Sequence, residues 1–182
     1  MFKLFYIFVE GSDDKRFFEN LIVPKLYEKY GNKCKIFVIP YQQRKNADIK
    51  NNIVRYAKSN NMNYVFLADL DSVNYSSFKE KIKHCQDIYP DLDYEKIFIV
   101  VEEIESWYLS GIDDAKDIYS EFEIPDCTDD ISKEDFEEMI RKSTKFNSKL
   151  EFMEQICRDF DFDKAVERNT SLKYFLKELK LL

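Results

Sequence analysis

Acidic side chains follow three of the apolar runs in this chain, each directly where the run ends. They are Glu10 after residues 5–9, Asp69 and Asp71 after residues 64–68, and Glu102, Glu103 and Glu105 after residues 97–101. Such runs are typical of buried strands, and the carboxyl ends of parallel strands meet at one edge of a sheet. Mg²⁺ and Mn²⁺ take oxygen ligands of this kind. The pattern therefore predicts a divalent-metal site that serves phosphate chemistry.

The spacing within two of these clusters favours a shared ligand. Asp69 and Asp71 are two residues apart, so in a continuing strand both side chains would lie on one face and meet one cation. Glu103 and Glu105 have the same spacing. The alternatives are an Asp-x-Asp pattern without function and a charged helix start, which the helix dipole favours. Glu10 by itself fits a cap of the following helix equally well.

The elements that must position these acids follow from the apolar periodicity. We predict strands at 3–9, 35–39, 64–68 and 97–101, and helices at 13–30, 46–59, 75–88, 113–122, 132–142, 147–159 and 170–180. Asp13 and Asp14 are predicted to cap the first helix, and Pro24 to kink or end it. Strands that alternate with helices indicate a parallel sheet with crossover helices. We expect an α/β fold with a Rossmann-like, four-stranded parallel core at 1–112 and a helical extension at 113–182, in one compact domain.

Composition narrows the classes of function. The chain has 182 residues, 35% of them charged, and a net charge of −7, which argues against a purely electrostatic nucleic-acid coat protein but not against a metal-dependent enzyme. The four cysteines form no CxxC pair and His84 is the only histidine, so a zinc site is not expected. We find neither a signal-peptide pattern nor an apolar run of about 18 residues, and we expect a cytoplasmic protein without a membrane anchor. The sequence does not indicate an oligomeric state.

Three segments together resemble a TOPRIM domain, the metal-binding fold of topoisomerases, primases and the OLD-family nucleases. They are Val9-Glu10-Gly11-Ser12-Asp13-Asp14, Ala68-Asp69-Leu70-Asp71-Ser72, and Glu103-Ile104-Glu105-Ser106-Trp107-Tyr108-Leu109. The third segment is similar to a signature of small stand-alone TOPRIM proteins that are related to the OLD nucleases. Modules related to these small proteins occur in anti-phage systems. Residues 147–150 and 168–175 carry a fainter likeness to the end of that group.

The resemblance implies a role for each candidate residue. Glu10 would be a metal ligand or general acid/base, and Asp69 and Asp71 would hold Mg²⁺ or Mn²⁺. Glu105, with Glu103 behind it, would serve a second metal.

Lys149 is our candidate for the lysine that stabilises the charged transition state in these nucleases. Lys142 and Lys145 lie close by in the sequence, and the alternative for Lys149 is a solvated lysine on a helix face.

The leading functional prediction is a metal-dependent phosphodiesterase, a nuclease acting on DNA or RNA. Two basic stretches, one at Arg44-Lys45 and one from Arg141 to Lys149, are candidates for positioning a strand, although each also fits an ordinary solvated surface. One alternative is a non-catalytic regulatory module that serves a separate ATPase partner. Another is a HAD-type phosphatase, whose DxDx(T/V) pattern matches residues 69–73. In that family the motif follows the first strand, whereas here it follows the third.

Overall fold

The computed structural model describes residues 3–31, 34–42, 54–55, 57–60, 62–70 and 74–182. By its internal contacts the chain divides into two compact units, Met1–Val100 (unit 1) and Val101–Leu182 (unit 2). Within the described part of the chain, no helix is both long and apolar enough to cross a lipid bilayer.

Unit 1 is built on a four-stranded parallel sheet. Its strands are β1 (Lys3–Val9), β2 (Cys34–Pro40), β3 (Asn63–Asp69) and β4 (Ile97–Val100), arranged in the order β2-β1-β3-β4. In the register, Phe8 lies opposite Ile39 on one side and Phe66 on the other. All four strands were predicted to within one residue at each end, because each is a short run of mostly apolar residues in the sequence. The predicted α/β class, a parallel sheet flanked by helices with a helical C-terminal part, is confirmed.

The first crossover is helical from Ser12 to Tyr30, but it is not a uniform α-helix. It consists of α1 (Ser12–Phe17), a π-helical turn (Phe18–Ile22) and α2 (Val23–Tyr30). Pro24 lies in the first turn of α2. Proline has no backbone N–H to donate, so the wider π turn just before it adapts the backbone without breaking the helix. The segment ends at Gly31, whose φ of 64° is the left-handed conformation that glycine supplies at helix ends.

One face of the sheet carries an aromatic core. Phe8 and Phe66 pack there against Tyr41, whose ring centroid lies 4.5 Å from that of Phe66. Helix α3 (Phe78–Ile88) contributes Ile82 and Cys85 to the same cluster. Residues 54–55 and 57–59 are helical, as predicted, and Val54 and Ala57 join this cluster; the rest of the predicted helix 46–59 lies outside the described residues.

Unit 2 consists of helices. They are α4 (Ile104–Ser110), α5 (Lys133–Lys142), α6 (Lys149–Asp159), α7 (Phe162–Arg168) and α8 (Thr170–Glu178). Its core is aromatic: the rings of Trp107 and Phe175 lie 5.5 Å apart, and Phe136 and Phe152 lie 5.3 Å apart, all four almost fully buried.

One sequence prediction for unit 2 was wrong, and one helix was not predicted. The predicted helix 113–122 is only a three-residue 3₁₀ turn, Asp117–Tyr119. The carboxylate of Asp113 accepts the backbone N–H of Ala115 at 3.3 Å, a local bond that competes with helix formation. Helix α7 was missed, although Asp161 at its start is a typical cap that accepts two backbone N–H groups of the first turn.

The segment that joins α7 to α8 is the centre of a buried polar network. Asn169 is fully buried, and its Oδ1 accepts the N–H of Leu172 at 2.9 Å and the hydroxyl of Ser171 at 2.9 Å. Its Nδ2 donates to Thr128 Oγ1 at 3.1 Å. The Ser171 hydroxyl in turn accepts the indole N–H of Trp107 at 2.8 Å. These bonds give Asn169 and Ser171 a structural role within unit 2.

Gly111, directly after α4, is required by a close contact with an aromatic ring. A Cβ built at this position would fall inside the van der Waals radius of the Phe160 ring. We expect Gly111→Ala to lower the free energy of unfolding by about 1–3 kcal/mol, the usual cost of overpacking. Urea denaturation followed by circular dichroism, which reports on the helices of both units, measures this. Gly11→Ala, whose Cβ would make an ordinary 3.5 Å contact with Asp14, is the control, and an equal loss in both variants would contradict the steric account.

The carboxylate of Glu121 makes the stability of unit 2 vary with pH in the acid range. Its carboxylate accepts hydrogen bonds from the Ser143 hydroxyl and from Thr144 and Lys145, and these bonds lower its pKa to about 2. A depressed pKa stabilises the fold above the ordinary value of 4.5, and this contribution is lost as the pH falls towards 2. We therefore expect wild type to have a higher urea midpoint than Glu121→Gln at neutral pH, with the difference shrinking on acidification. A difference that is constant with pH would contradict this.

Candidate functional site

The strand order places the topological switch point of the sheet between β1 and β3. The chain leaves β1 towards β2 on one side and later returns to place β3 on the other side of β1. In open α/β sheets, ligands bind outside the carboxyl ends of the strands at the point where the strand order reverses. Glu10 follows β1 directly, and Asp69 is the last residue of β3. Two of the predicted site residues therefore lie at the switch point of the sheet.

The Glu10 carboxylate connects the ends of three neighbouring strands. Its Oε2 accepts the backbone N–H of Asp69 at 3.3 Å. Its Oε1 accepts the side-chain amide of Gln42, just beyond β2, and the backbone carbonyl of Glu10 accepts the Gln42 N–H at 3.2 Å. The structure thus brings Glu10 and Asp69 together and holds Glu10 in one orientation. Gln42 was not among the predicted site residues, because its contact with Glu10 depends on β2 lying beside β1.

Negative charge is concentrated around these strand ends. The pKa of the buried Tyr41 hydroxyl is raised well above its ordinary value, first by burial and then by the charges of Glu10 and Asp69, with a smaller effect from Asp14. Asp14 is buried, and its Oδ2 accepts the N–H of Gly11 at 3.1 Å, which makes it the helix-capping residue that the sequence predicted. Asp13 lies in the same helical turn and pairs with Arg16 at 2.7 Å.

Glu10 and Asp69 fit a hard divalent cation in ligand type, since both are carboxylate residues of intermediate exposure at the ends of adjacent strands. Asp71, the third predicted ligand, lies outside the described residues. Among the residues that the structure does describe, no group of three or more His, Cys, Asp or Glu side chains is arranged to hold a metal ion. The described part of the chain therefore supplies two candidate ligands at this edge.

In unit 2, Glu105 forms an ion pair with Lys149. Glu105 lies in the first turn of α4 with a side chain only 4% exposed, and its carboxylate contacts Lys149 Nζ at the start of α6. The Lys149 side chain is 23% exposed, and its Nζ lies 3.9 Å from Glu137. Lys149 is therefore not the solvated helix-face lysine that was the alternative prediction. A lysine at a helix N-terminus opposes the helix dipole, and the Glu105 carboxylate offsets that cost.

Glu103, immediately before α4, binds the start of α5. Its Oε2 accepts the backbone N–H of Lys133 at 2.8 Å. The pKa of Glu103 is raised, mainly by burial and further by the charges of Glu105 and Glu134. The preceding residue, Glu102, has a φ of 53°, an uncommon left-handed conformation for a residue with a Cβ. A sharp turn at Glu102 thus precedes Glu103 and Glu105, and the carboxylates of these two residues contact Lys133 and Lys149 within unit 2.

The second basic stretch is also engaged within unit 2. Lys142 pairs with Glu138 at 2.6 Å, and Lys145 Nζ contacts the Asp117 carbonyl and the Ser120 hydroxyl. The first basic stretch, Arg44-Lys45, lies outside the described residues.

Comparison with known proteins places the chain in a family. Residues 9–180 match the family described as "Domain of unknown function (DUF4276)". No curated protein and no solved structure matched the chain. Because the match covers nearly all of the sequence, from the end of β1 to the end of α8, this chain belongs to the DUF4276 family.

Proposed function

We propose that this protein is a divalent-metal-dependent phosphodiesterase that acts on nucleic acid, with Glu10, Asp69 and Asp71 as metal ligands. The observation that carries the proposal is the contact between Glu10 and the Asp69 backbone at the switch point of a parallel sheet. The resemblance of the segments around these residues to TOPRIM motifs supports the same chemistry.

Mg²⁺ or Mn²⁺ bound there would supply Lewis acidity and a water of lowered pKa. The chain's own residues prepare the ligands. The Gln42 amide and the Asp69 N–H each occupy one lone pair of the Glu10 carboxylate, which fixes its orientation and leaves oxygen lone pairs for a cation. The roles that the resemblance implies for Glu103, Glu105 and Lys149 stay predictions.

Cleavage of plasmid DNA, single-stranded DNA and RNA with Mn²⁺ tests the proposal. We expect wild type to cleave at least one of these substrates, and Asp71→Ala to be at least about ten-fold slower because a charged ligand is lost. Chelation by EDTA should abolish the activity. Equal rates for wild type and Asp71→Ala would contradict the assignment.

A non-catalytic regulatory module is the second candidate function. It is favoured by the engagement of Glu103 and Glu105 in contacts with Lys133 and Lys149. Titration calorimetry with Mn²⁺ separates the two candidates. An absence of metal binding, together with the absence of cleavage, would favour the module and a separate partner such as an ATPase.

A further inference from the structure

The start of α3 carries exposed aromatic and basic side chains together. Phe78 is 51% exposed, and Lys79 and Lys83 are exposed four residues apart, which places them on one side of the helix. From Tyr75 to the end of α3 the chain has three lysines and two acids, Glu80 and Asp87, although the net charge of the whole protein is −7.

Tyr75, in the loop before α3, is held against the same helix. Lys81 Nζ lies 4.5 Å from the centre of the Tyr75 ring, and the His84 ring centroid lies 5.1 Å from it. Lys81 is itself buried, so its stem packs while its ammonium group meets the ring face. The Tyr75 ring is thereby oriented on the α3 surface.

The lysines of this surface outnumber the acids that the structure describes beside them. In the part of the chain that the structure describes, Lys79, Lys81 and Lys83 form no ion pair with a carboxylate. Glu80 is engaged by Ser76, whose N–H and hydroxyl donate to it at 3.0 and 2.8 Å. The surface therefore favours an anionic ligand.

The surface lies at the same sheet edge as Glu10 and Asp69. Helix α3 returns the chain from β3 to the parallel strand β4, so it must begin at the carboxyl edge of the sheet. Ile82 and Cys85 of α3 share a core cluster with Phe8 of β1 and Phe66 of β3, which places the helix in the same unit beside these strands.

We propose that Tyr75, Phe78, Lys79 and Lys83 form a binding surface for single-stranded nucleic acid. The exposed Phe78 ring and the half-buried Tyr75 ring stack on bases, and the lysines contact phosphates. Unpaired bases present the faces that such stacking needs, whereas a duplex hides them. This inference rests on the proposed function and narrows its substrate to a single strand.

Fluorescence anisotropy in EDTA tests the inference without cleavage. The probes are a labelled mixed-sequence DNA oligonucleotide, its duplex, and heparin as a polyanion without bases. We expect Phe78→Ala to bind the single strand about ten-fold more weakly, because the variant loses the ring on which a base stacks. Its affinity for heparin should not change, because heparin has no bases. Replacing both Lys79 and Lys83 with Gln should weaken both ligands and reduce the slope of log affinity against log salt by about 1.4 for the single strand.

Helix α8 supplies matched controls. Tyr174→Ala removes an aromatic ring that is 58% exposed, and replacing both Lys173 and Lys177 with Gln removes the same charge from another exposed surface. Wild-type affinity in the α3 variants, an equal loss in the α8 variants, or tighter binding of duplex than of single strand would each overturn the inference. Because no metal is present, these results are independent of whether the protein cleaves nucleic acid.

Discussion

Replacement of Glu10 by Gln, or of Asp69 by Asn, is expected to slow Mn²⁺-dependent cleavage of nucleic acid about 1,000-fold. Each change keeps the shape of the side chain but removes a negative charge from the switch point between β1 and β3. A bound metal contributes several kcal/mol to the stability of the transition state, which corresponds to this loss of rate. Initial rates at saturating substrate, with Mn²⁺ varied, measure the effect and show whether more metal restores activity.

The matched control for these variants is Glu19→Gln. Glu19 lies in the first crossover helix of the same unit, and its exposed carboxylate pairs with Lys15 at 3.7 Å, away from the strand ends. The Glu19→Gln variant should cleave nucleic acid at the wild-type rate. Circular dichroism should show that all three variants remain folded. Full activity in both Glu10→Gln and Asp69→Asn would remove the strand-end carboxylates from the mechanism.

Replacement of Lys149 by Met is expected to lower the free energy of unfolding of unit 2 by about 2–3 kcal/mol. The change leaves Glu105, whose side chain is 4% exposed, as a charge without its ammonium partner. A fully buried unpaired charge costs about 3–5 kcal/mol, and the partial exposure of Lys149 reduces that cost. Urea unfolding followed by Trp107 fluorescence measures it, because Trp107 is fully buried in the same unit.

A double variant separates the loss of the pair from the loss of packing. Adding Glu105→Gln to Lys149→Met removes the unpaired charge, and we expect much of the stability to return. Lys142→Met is the control, since its pair with Glu138 is exposed on both sides and should be worth less than about 1 kcal/mol. If adding Glu105→Gln lowered the free energy of unfolding further instead of restoring it, the ion pair with Glu105 would not be the source of the stability that Lys149 contributes.

The local pattern predicted the elements of unit 1 well. Strand β3 and residues 7–9 of β1 are buried on both faces, so hydrophobicity alone marks them. Gly31 marks the end of the first crossover helix by its backbone freedom. The π-helical turn before Pro24 was not predicted, because the sequence shows the missing N–H donor but not how the backbone adapts to it. Around residue 113, apolar spacing predicted a helix where Asp113 instead bonds to the nearby backbone.

For the candidate site as well, the sequence predicted some features and the tertiary structure decided others. A parallel sheet places the residues after its strands at one edge, so the sequence by itself determined that Glu10 and Asp69 lie at that edge. Strand order decided that they are neighbours and that Gln42 holds Glu10, because each of these contacts joins residues more than 30 positions apart. The Glu105–Lys149 pair likewise joins α4 to α6 across 44 positions. Periodicity and capping are local and can be read from neighbouring residues, whereas the partner of a carboxylate is chosen by the packing of whole elements.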